Sequence, residues 1–387
     1  MAELPFIVGK PAVGDYFVDR KDEMTRLITL VEGIQNRSSS NTVLIGLRRT
    51  GKTSILQNLV SILEPNKKII PIVVNCYGMA SKSRLAKILV DNAIENYVNK
   101  TGDKAYLKKL TKIINEAVEL TAGRISEIRL ADFSIKMKDK KIDDDYLLEA
   151  ALQYIEVVAE DKDVYFVVMM DEFQDIIGWG QDTLKMIRTV VQSQDRVCYI
   201  FAGSATTIMH DLVYNNRSPF YRQLVEIPVK KIDKKIVGEY IRDRLSLVKI
   251  WISDQIVEKI VVLSDGFPDY VQRIGLELYL SVGEGGLIDK DAVEKAYENI
   301  VISLDGEFDN YFKYLSPLER EILVALANGK IKPSEVAREV RKPLANISKT
   351  LLMLVNYGII ERPMIGHYRI SDPVFCDWLI RRFKIIT

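Results

Sequence analysis

The chain has 387 residues, which is long enough for two or three domains of ordinary size. Hydrophobic residues make up 48% and charged residues 28% of it, a composition typical of globular proteins and unlike that of disordered or membrane proteins. The net charge of +1 favours no class of partner, and three widely separated cysteines indicate neither a disulfide framework nor a zinc site.

The amino terminus has no basic start followed by an apolar stretch, and no uncharged apolar window of about 18 residues occurs in the chain. The sequence therefore predicts a cytoplasmic protein without a membrane partner. An amphipathic helix is predicted within residues 17–35.

Four apolar runs predict the buried strands of a parallel α/β sheet. They lie at 42–47, 68–76, 164–172 and 197–204, and the first passes through a glycine-bounded turn directly into a helix. The long segment between the second and third strands reads as helices at 82–98, 104–122 and 144–160 around a short alternating piece, and it carries no recognisable motif.

The pattern becomes wholly helical after residue 229. Helices are predicted at 233–247, 253–264, 268–283 and 289–303, which indicates a helical lid. Three further helices at 317–327, 333–340 and 345–357 precede two short strands around Gly366, the order of a winged helix. The predicted domains are an α/β core over 1–229, a helical lid over 230–305 and a winged-helix domain over 306–387.

A phosphate-loop motif lies between the first strand and its helix. Residues 46–53, GLRRTGKT, fit G-x-x-x-x-G-K-[ST], whose backbone N–H groups surround phosphates. In this motif Lys52 reaches the outer phosphates, and the Thr53 hydroxyl ligates magnesium. The predicted cofactors are ATP/ADP and Mg²⁺, and the predicted contacts are Gly46, Arg49, Thr50, Gly51, Lys52, Thr53 and Ser54.

Two acids, Asp171 and Glu172, end the third predicted strand, in VVMMDEFQD. Because functional groups of α/β sheets lie at the carboxyl ends of strands, Asp171 is predicted to hold magnesium from a strand beside the phosphate strand, and Glu172 to polarise the attacking water. The alternative is a solvated pair of acids at a strand end. An Asp-Glu doublet favours hydrolysis over phosphoryl transfer to a small molecule.

Four more polar positions have alternative interpretations. Ser204, at the end of the fourth strand, can contact the γ-phosphate or the water, or can be the N-cap of the next helix. Arg222 can reach phosphates in this subunit or a neighbouring one, or can be a surface arginine. Arg48 and Arg49 raise the positive potential of the phosphate loop and face either solvent or an acidic neighbour.

Together these residues resemble an archaeal P-loop ATPase family of the additional-strand (AAA+/STAND-like) type, related to the origin-recognition ATPases. The resemblance rests on FVDRKDEMTRL, GLRRTGKTS, MMDEFQD, FAGS, GFPDYVQR and YRISDPVF, and covers nearly the whole chain. It implies that Phe17, Val18 and Arg20 lie near the adenine, and that a lid motif with Gly266 and Pro268 closes over it. It also implies an ATP-driven switch or motor.

The carboxy-terminal segment is basic. Residues 311–387 contain 13 Lys/Arg and 7 Asp/Glu, the charge expected of a nucleic-acid-binding module. The third predicted helix of this segment turns Ile347, Leu351, Leu354 and Val355 inward. The candidate contacts to double-stranded DNA are Arg341, Lys342, Asn346, Lys349 and Arg362.

The sequence thus predicts a Mg-dependent ATPase whose nucleotide state moves a lid and a winged helix that act on DNA. The alternative is a slow signalling switch that binds a protein partner, because winged helices also dock proteins. In either case a nucleotide-dependent homo-oligomer is compatible with the sequence. A small-molecule kinase is disfavoured by Glu172.

Overall fold

The computed structural model describes residues 4–38, 40–106, 143–204 and 207–383. The helix predicted at 104–122 lies almost entirely outside these ranges, and the alternating piece after it lies wholly outside them. Within these ranges, no helix is both long and apolar enough to cross a bilayer.

Five parallel strands form the central sheet. They are β1 (Thr42–Gly46), β2 (Ile69–Asn75), β3 (Tyr165–Asp171), β4 (Val197–Ser204) and β5 (Val225–Val229), in the spatial order β2-β3-β4-β1-β5. The four predicted strands are confirmed. β5 was not predicted; it is short and contains Pro228, which an edge strand tolerates because one of its sides makes no ladder hydrogen bonds.

The strand order corrects the expected neighbour of the phosphate strand. β3, which carries Asp171, does not pair with β1, because β4 lies between them. This inserted β4 is the additional strand that the predicted fold class requires. The predicted α/β P-loop fold is confirmed.

Helices cover both faces of the sheet. They are α1 (Lys21–Glu32), α2 (Lys52–Leu63), α3 (Lys82–Thr101), α4 (Asp144–Lys162), α5 (Gln174–Ile177), α6 (Gln181–Gln192) and α7 (Thr207–Tyr214). α1 and α2 pack on one face through Leu27 and Leu59, and α3, α4 and α6 pack on the other through Leu89 and Leu152. α6 was not predicted, although its buried residues Leu184, Ile187 and Val191 have helical spacing.

Strand register brings the predicted site residues to one edge of the sheet. Gly46, the last residue of β1, is level with Ser204 of β4 and Val229 of β5. Asp171, the last residue of β3, is level with Asn75 of β2. The carboxyl ends of all five strands therefore meet beside the phosphate loop.

The helices after β5 share one apolar core. They are α8 (Lys234–Ser246), α9 (Asp254–Ser264), α10 (Pro268–Val282), α11 (Lys290–Ser303), α12 (Asp305–Tyr314), α13 (Pro317–Ala327), α14 (Pro333–Val340), α15 (Leu344–Asn356) and α16 (Pro373–Phe383), with the hairpin β6 (Ile360–Met364) and β7 (His367–Ile370) between the last two. One apolar cluster runs from the predicted lid into the carboxy-terminal helices. The boundary at 305 stays a prediction.

The last helix, α16, changes the interpretation of the basic chain end. Arg381 and Arg382, near the end of the sequence, supply part of the basic charge of this segment and could lie in a solvated chain end beyond the fold. They lie on α16 instead, where Arg381 pairs with Glu298 at 3.0 Å and Arg382 with Asp309 at 2.8 Å. The helix forms because Trp378 and its apolar neighbours pack into the core, which leaves the arginines beside acids.

Candidate active site

The phosphate loop is closed by tight backbone contacts. A Cβ on Gly46 would lie 2.3 Å from the Val229 carbonyl oxygen, so only glycine fits between β1 and β5. Gly51 has φ +91°, a conformation that favours glycine, and α2 begins at the next residue. Thr50 is buried, and its hydroxyl donates to the Leu47 carbonyl oxygen at 2.8 Å. The first N–H groups of α2 face the loop and make an anion-binding site.

Lys52 lies beneath this loop. Its ammonium donates to the carbonyl oxygens of Gly46 at 3.0 Å and Leu47 at 2.9 Å. Burial lowers the pKa of Lys52 to about 8, against the opposing charges of Glu172 and Asp171. A desolvated ammonium whose hydrogen bonds go to carbonyl oxygens can exchange them for stronger ones to a phosphate.

Thr53 and Asp171 face each other at the start of α2. The Thr53 hydroxyl donates to Asp171 Oδ2 at 2.5 Å, although β4 separates the two strands that carry the flanking motifs. Burial raises the pKa of Asp171, and the hydrogen bond from Thr53 opposes this shift. A hydroxyl and a carboxylate thus lie within contact distance of each other, beside the phosphate loop.

Glu172 lies beside this pair in a left-handed backbone conformation, with φ +53°. The side-chain amide of Gln174 donates to Glu172 Oε2 and accepts from the Ser204 N–H at 3.4 Å. Sequence reasoning missed Gln174, although it lies inside the DEFQD motif.

Ser204 is the last residue of β4, and the described part of the next helix, α7, begins at Thr207. The Ser204 hydroxyl is buried and, among the described residues, has no hydrogen-bond partner. This geometry favours the interpretation of Ser204 as a residue that contacts the γ-phosphate or the water.

A groove of about 440 Å³ runs from the phosphate loop to the lid. From the predicted set it is lined by Arg49, Gly51, Lys52, Thr53, Ser54, Glu172 and Pro268, and from elsewhere by Ile7, Gly9, Lys10, Pro11, Ala12, Arg48, Asp269, Gln272, Arg273 and Glu307. Residues 7–12 form one wall because the Ala12 N–H donates to Ser54 Oγ at 3.0 Å and the Ile7 N–H donates to Gln272 Oε1 at 3.0 Å. Sequence reasoning missed this wall, which has no motif of its own.

Phe17, Val18 and Arg20 are not among the described residues that line this groove. Phe17 packs against the core below α1, and Val18 packs against the lid core. Arg20 is buried and donates to the carbonyl oxygens of Thr50 at 2.9 Å and Lys230 at 2.7 Å. Arg20 of the entry segment therefore contacts the phosphate loop directly, whereas residues 7–12 line the groove.

Arg49 turns away from the phosphate loop into a cluster of acids. Its guanidinium pairs with Asp269 of α10 at 3.4 Å, Glu307 of α12 at 2.7 Å and Asp372 before α16 at 3.3 Å. It also lies 5.4 Å from the ring centre of Tyr270. Of the two interpretations of Arg49, the acidic neighbour is the correct one, and its side chain is not a free phosphate ligand.

Arg222 lies near the amino ends of the strands, whereas the phosphate loop lies at their carboxyl ends. Arg222 precedes β5, whose first residue Val225 is level with Thr42, the first residue of β1. A strand of five residues spans roughly 15 Å from its amino end to its carboxyl end. The exposed Arg222 side chain therefore lies away from the phosphate loop of its own chain, which leaves a neighbouring subunit or solvent.

The basic residues of the carboxy-terminal unit differ in their partners. Arg369, like Arg381 and Arg382, pairs with an acid. The side chains of the predicted DNA contacts Arg341, Lys342, Asn346, Lys349 and Arg362 are exposed, and none of the four basic ones forms an ion pair in the described part of the chain.

Comparison with known proteins agrees with this geometry. Among solved structures, the Walker-type ATPase PABY2304 of Pyrococcus abyssi is 20% identical, with a TM-score of 0.72 over 97% of this chain and 99% of that chain. The Aeropyrum pernix ORC2 protein in its ADPNP-ADP complexes is 13% identical, with a TM-score of 0.61 over 94% and 92%. The Aeropyrum pernix ORC1 protein in complex with DNA is 14% identical, with a TM-score of 0.52 over 95% and 94%.

These identities establish a similarity of fold. A search among curated proteins gives no match. A family profile described as an ATPase domain predominantly from Archaea matches residues 17–274, which include the phosphate loop, the Asp-Glu doublet and the start of the lid. Because the match covers well over half of the chain, the chain belongs to this archaeal family of P-loop ATPases, as predicted.

Proposed function

We propose that the chain binds ATP with Mg²⁺ in the groove and hydrolyses it with Glu172 as the base, and that nucleotide state moves the lid and the carboxy-terminal unit on DNA. The observation that carries the catalytic part is the contact of Thr53 with Asp171 beside Lys52 and Glu172. Lys52 takes the outer phosphates, and Glu172 accepts a proton from the attacking water.

The oxygen atoms of Thr53 and Asp171 fit Mg²⁺. A hydroxyl and a carboxylate are hard ligands, and they lie 2.5 Å apart at the mouth of the phosphate loop. Bound Mg²⁺ supplies positive charge that neutralises the phosphate oxygens. Thr53 and Asp171 are the residues that would hold it, while Lys52 orients the phosphates.

Substitution of Asp171 by asparagine is expected to raise the Mg²⁺ concentration for half-maximal ATP hydrolysis by at least about tenfold, because an amide binds Mg²⁺ more weakly than a carboxylate. Phosphate release measured across a Mg²⁺ titration tests this. Asp182→Asn is the matched control, because Asp182 is an exposed acid that pairs with Lys185. An unchanged Mg²⁺ requirement in Asp171→Asn would exclude Asp171 as the ligand.

Movement of the lid is supported by the groove walls. One wall belongs to the core, and the other contains Pro268, Asp269, Gln272 and Arg273 of α10. ATP shifts the relative position of the two walls only if it binds one arrangement more tightly than the other. Arg49 supplies a direct connection, since it joins the phosphate loop to α10, α12 and the chain before α16.

Contact with DNA is supported by positively charged side chains that, among the described residues, form no ion pair with an acid. Arg341 and Lys342 precede α15, and Asn346 and Lys349 lie exposed on its first turns. Ile347 and Leu351 face inward, which leaves Asn346 and Lys349 turned outward. The similar ORC1 structure is a complex with DNA, which agrees with this use of the fold.

We expect Arg341→Ala together with Lys349→Ala to weaken duplex binding on every sequence alike, and to reduce the slope of log K against log salt by about one per lost phosphate contact. Fluorescence anisotropy with a labelled duplex at several salt concentrations measures both. Lys313→Ala is the control, because Lys313 is exposed in the same unit and pairs with Asp309. Equal slopes in wild type and the double variant would exclude this surface.

A protein-binding signalling switch of the STAND type is the second candidate. It is favoured by exposed apolar side chains at the hairpin tip, where Met364 is 61% and Ile365 88% exposed, whereas a DNA-contacting tip is usually polar or basic. Nucleotide-dependent self-assembly without duplex binding would support it. Duplex binding that falls steeply with salt would support the first candidate.

A further inference from the structure

We infer that Gln174 is a positioning residue that holds the Glu172 carboxylate and ties it to the carboxyl end of β4; this inference rests on the proposed role of Glu172 as the base.

The amide of Gln174 lies between two groups that differ in hydrogen-bonding character. Its Nε2 donates to Glu172 Oε2, and its Oε1 accepts from the Ser204 N–H at 3.4 Å. A carboxylate can only accept and an N–H can only donate, so these partners determine which end of the amide faces which group. A Cβ on Gly203 would lie 2.7 Å from Gln174 Oε1, so glycine leaves the space that the amide occupies.

The backbone around Gln174 is anchored on both sides. The Phe173 N–H donates to the Ala202 carbonyl oxygen at 2.9 Å, and the Phe173 ring is buried with its centre 4.5 Å from that of Phe201. The Asp175 N–H donates to the Glu172 carbonyl oxygen at 3.1 Å, which closes the turn in which Glu172 has φ +53°. Gln174 therefore starts from a fixed position relative to β4, and its side chain sets the position of the carboxylate.

Glutamine is suited to this task where similar residues are not. Asparagine is one methylene shorter and cannot span both partners from the same backbone position. Glutamate would place a second negative charge against Glu172, and leucine has a similar volume but no hydrogen bonds. Because the same amide contacts Ser204, a shift at the end of β4 on contact with the γ-phosphate is passed to the carboxylate of Glu172.

The test is Gln174→Leu in the full chain, with steady-state phosphate release and the binding of a fluorescent ATP analogue as separate readouts. We expect kcat to fall by at least about tenfold, the loss typical for a hydrogen bond to a charged group, and the Kd of the analogue to stay within about threefold. Gln174→Glu should lower kcat similarly, and it serves if the leucine variant does not fold. The matched control is Gln153→Leu, because Gln153 also donates to a glutamate, Glu149, at 3.2 Å on the exposed side of α4.

A kcat within about twofold of wild type in either Gln174 variant would overturn the inference, as would a loss confined to nucleotide binding. Failure of the proposed function gives a different result. If Glu172→Gln keeps full turnover, Glu172 is not the base. If Glu172→Gln is inactive while Gln174→Leu is fully active, the proposed function stands and only the role of Gln174 is wrong.

Discussion

Glu172→Gln is expected to lower the kcat of ATP hydrolysis by about 10²–10⁴-fold while ATP remains bound, because a general base contributes this much to a proton transfer. Glutamine has the shape of glutamate and keeps an oxygen that can accept from Gln174, but it cannot take a proton from water. The groove, Lys52 and the Thr53–Asp171 pair are left intact. Phosphate release and nucleotide binding, measured separately, test both halves of this expectation.

Two controls make the result specific. Glu149→Gln changes an exposed glutamate that also accepts from a glutamine, Gln153, and should leave kcat unchanged. If Glu172→Gln loses ATP binding in proportion to activity, Glu172 contributes to nucleotide binding and not to activation of the attacking water. Normal phosphate release from Glu172→Gln would remove it from the chemistry altogether.

Arg49→Ala is expected to loosen the attachment of the lid and carboxy-terminal unit to the core by roughly 2–4 kcal/mol, since removal of one partner leaves partly buried carboxylates without their counter-charge. Most of the lost attachment free energy comes from Asp372, because burial raises the pKa of its carboxyl and Arg49 opposes that shift. Asp372 keeps the Tyr270 hydroxyl and two N–H donors of α16, which limits the loss. Glu307 is half exposed and contributes little.

Tryptic cleavage of the connection between β5 and α8, at Lys230 and Lys231, is a suitable measurement because the contacts of Arg20 with the Lys230 carbonyl oxygen and of Lys231 with Asp265 must open before a protease can bind the chain there. We expect it to be at least about tenfold faster in Arg49→Ala. Arg48→Ala is the control, because Arg48 is exposed and, among the described residues, forms no ion pair. Equal cleavage rates in the two variants would show that the Arg49 cluster does not hold the parts together.

The candidate site divides into contacts that a short motif encodes and contacts that it does not. Gly46 to Thr53 and the Asp171-Glu172 doublet were predictable because strand, turn and helix follow one another within a few residues, and their chemistry is local. Residues 7–12 were not predictable as a groove wall, because their partners Ser54 and Gln272 lie far along the chain.

The same distinction holds for the fold. The buried strands and the lid helices were predictable because their apolar residues form continuous runs or recur at helical spacing. All four predicted strands are present. β5 was missed because an edge strand of five residues with a proline has a weak pattern. α16 was not predicted. Its apolar side chains are buried against α11 and α13, which are remote from it in the sequence.

The sequence by itself determined the chemical class of this protein: a phosphate loop, two adjacent acids at a strand end and an apolar strand pattern suffice for a P-loop ATPase. Only the tertiary structure decided which side chains reach one another across the fold. In the folded chain, β4 lies between the two strands that carry the phosphate-loop and Asp-Glu motifs. Arg49 pairs with three acids, and Arg222 lies near the amino ends of the strands, away from the phosphate loop. The physical reason is that hydrophobic periodicity specifies which face of an element is buried, whereas strand order and the packing of remote elements determine the partners of each polar group.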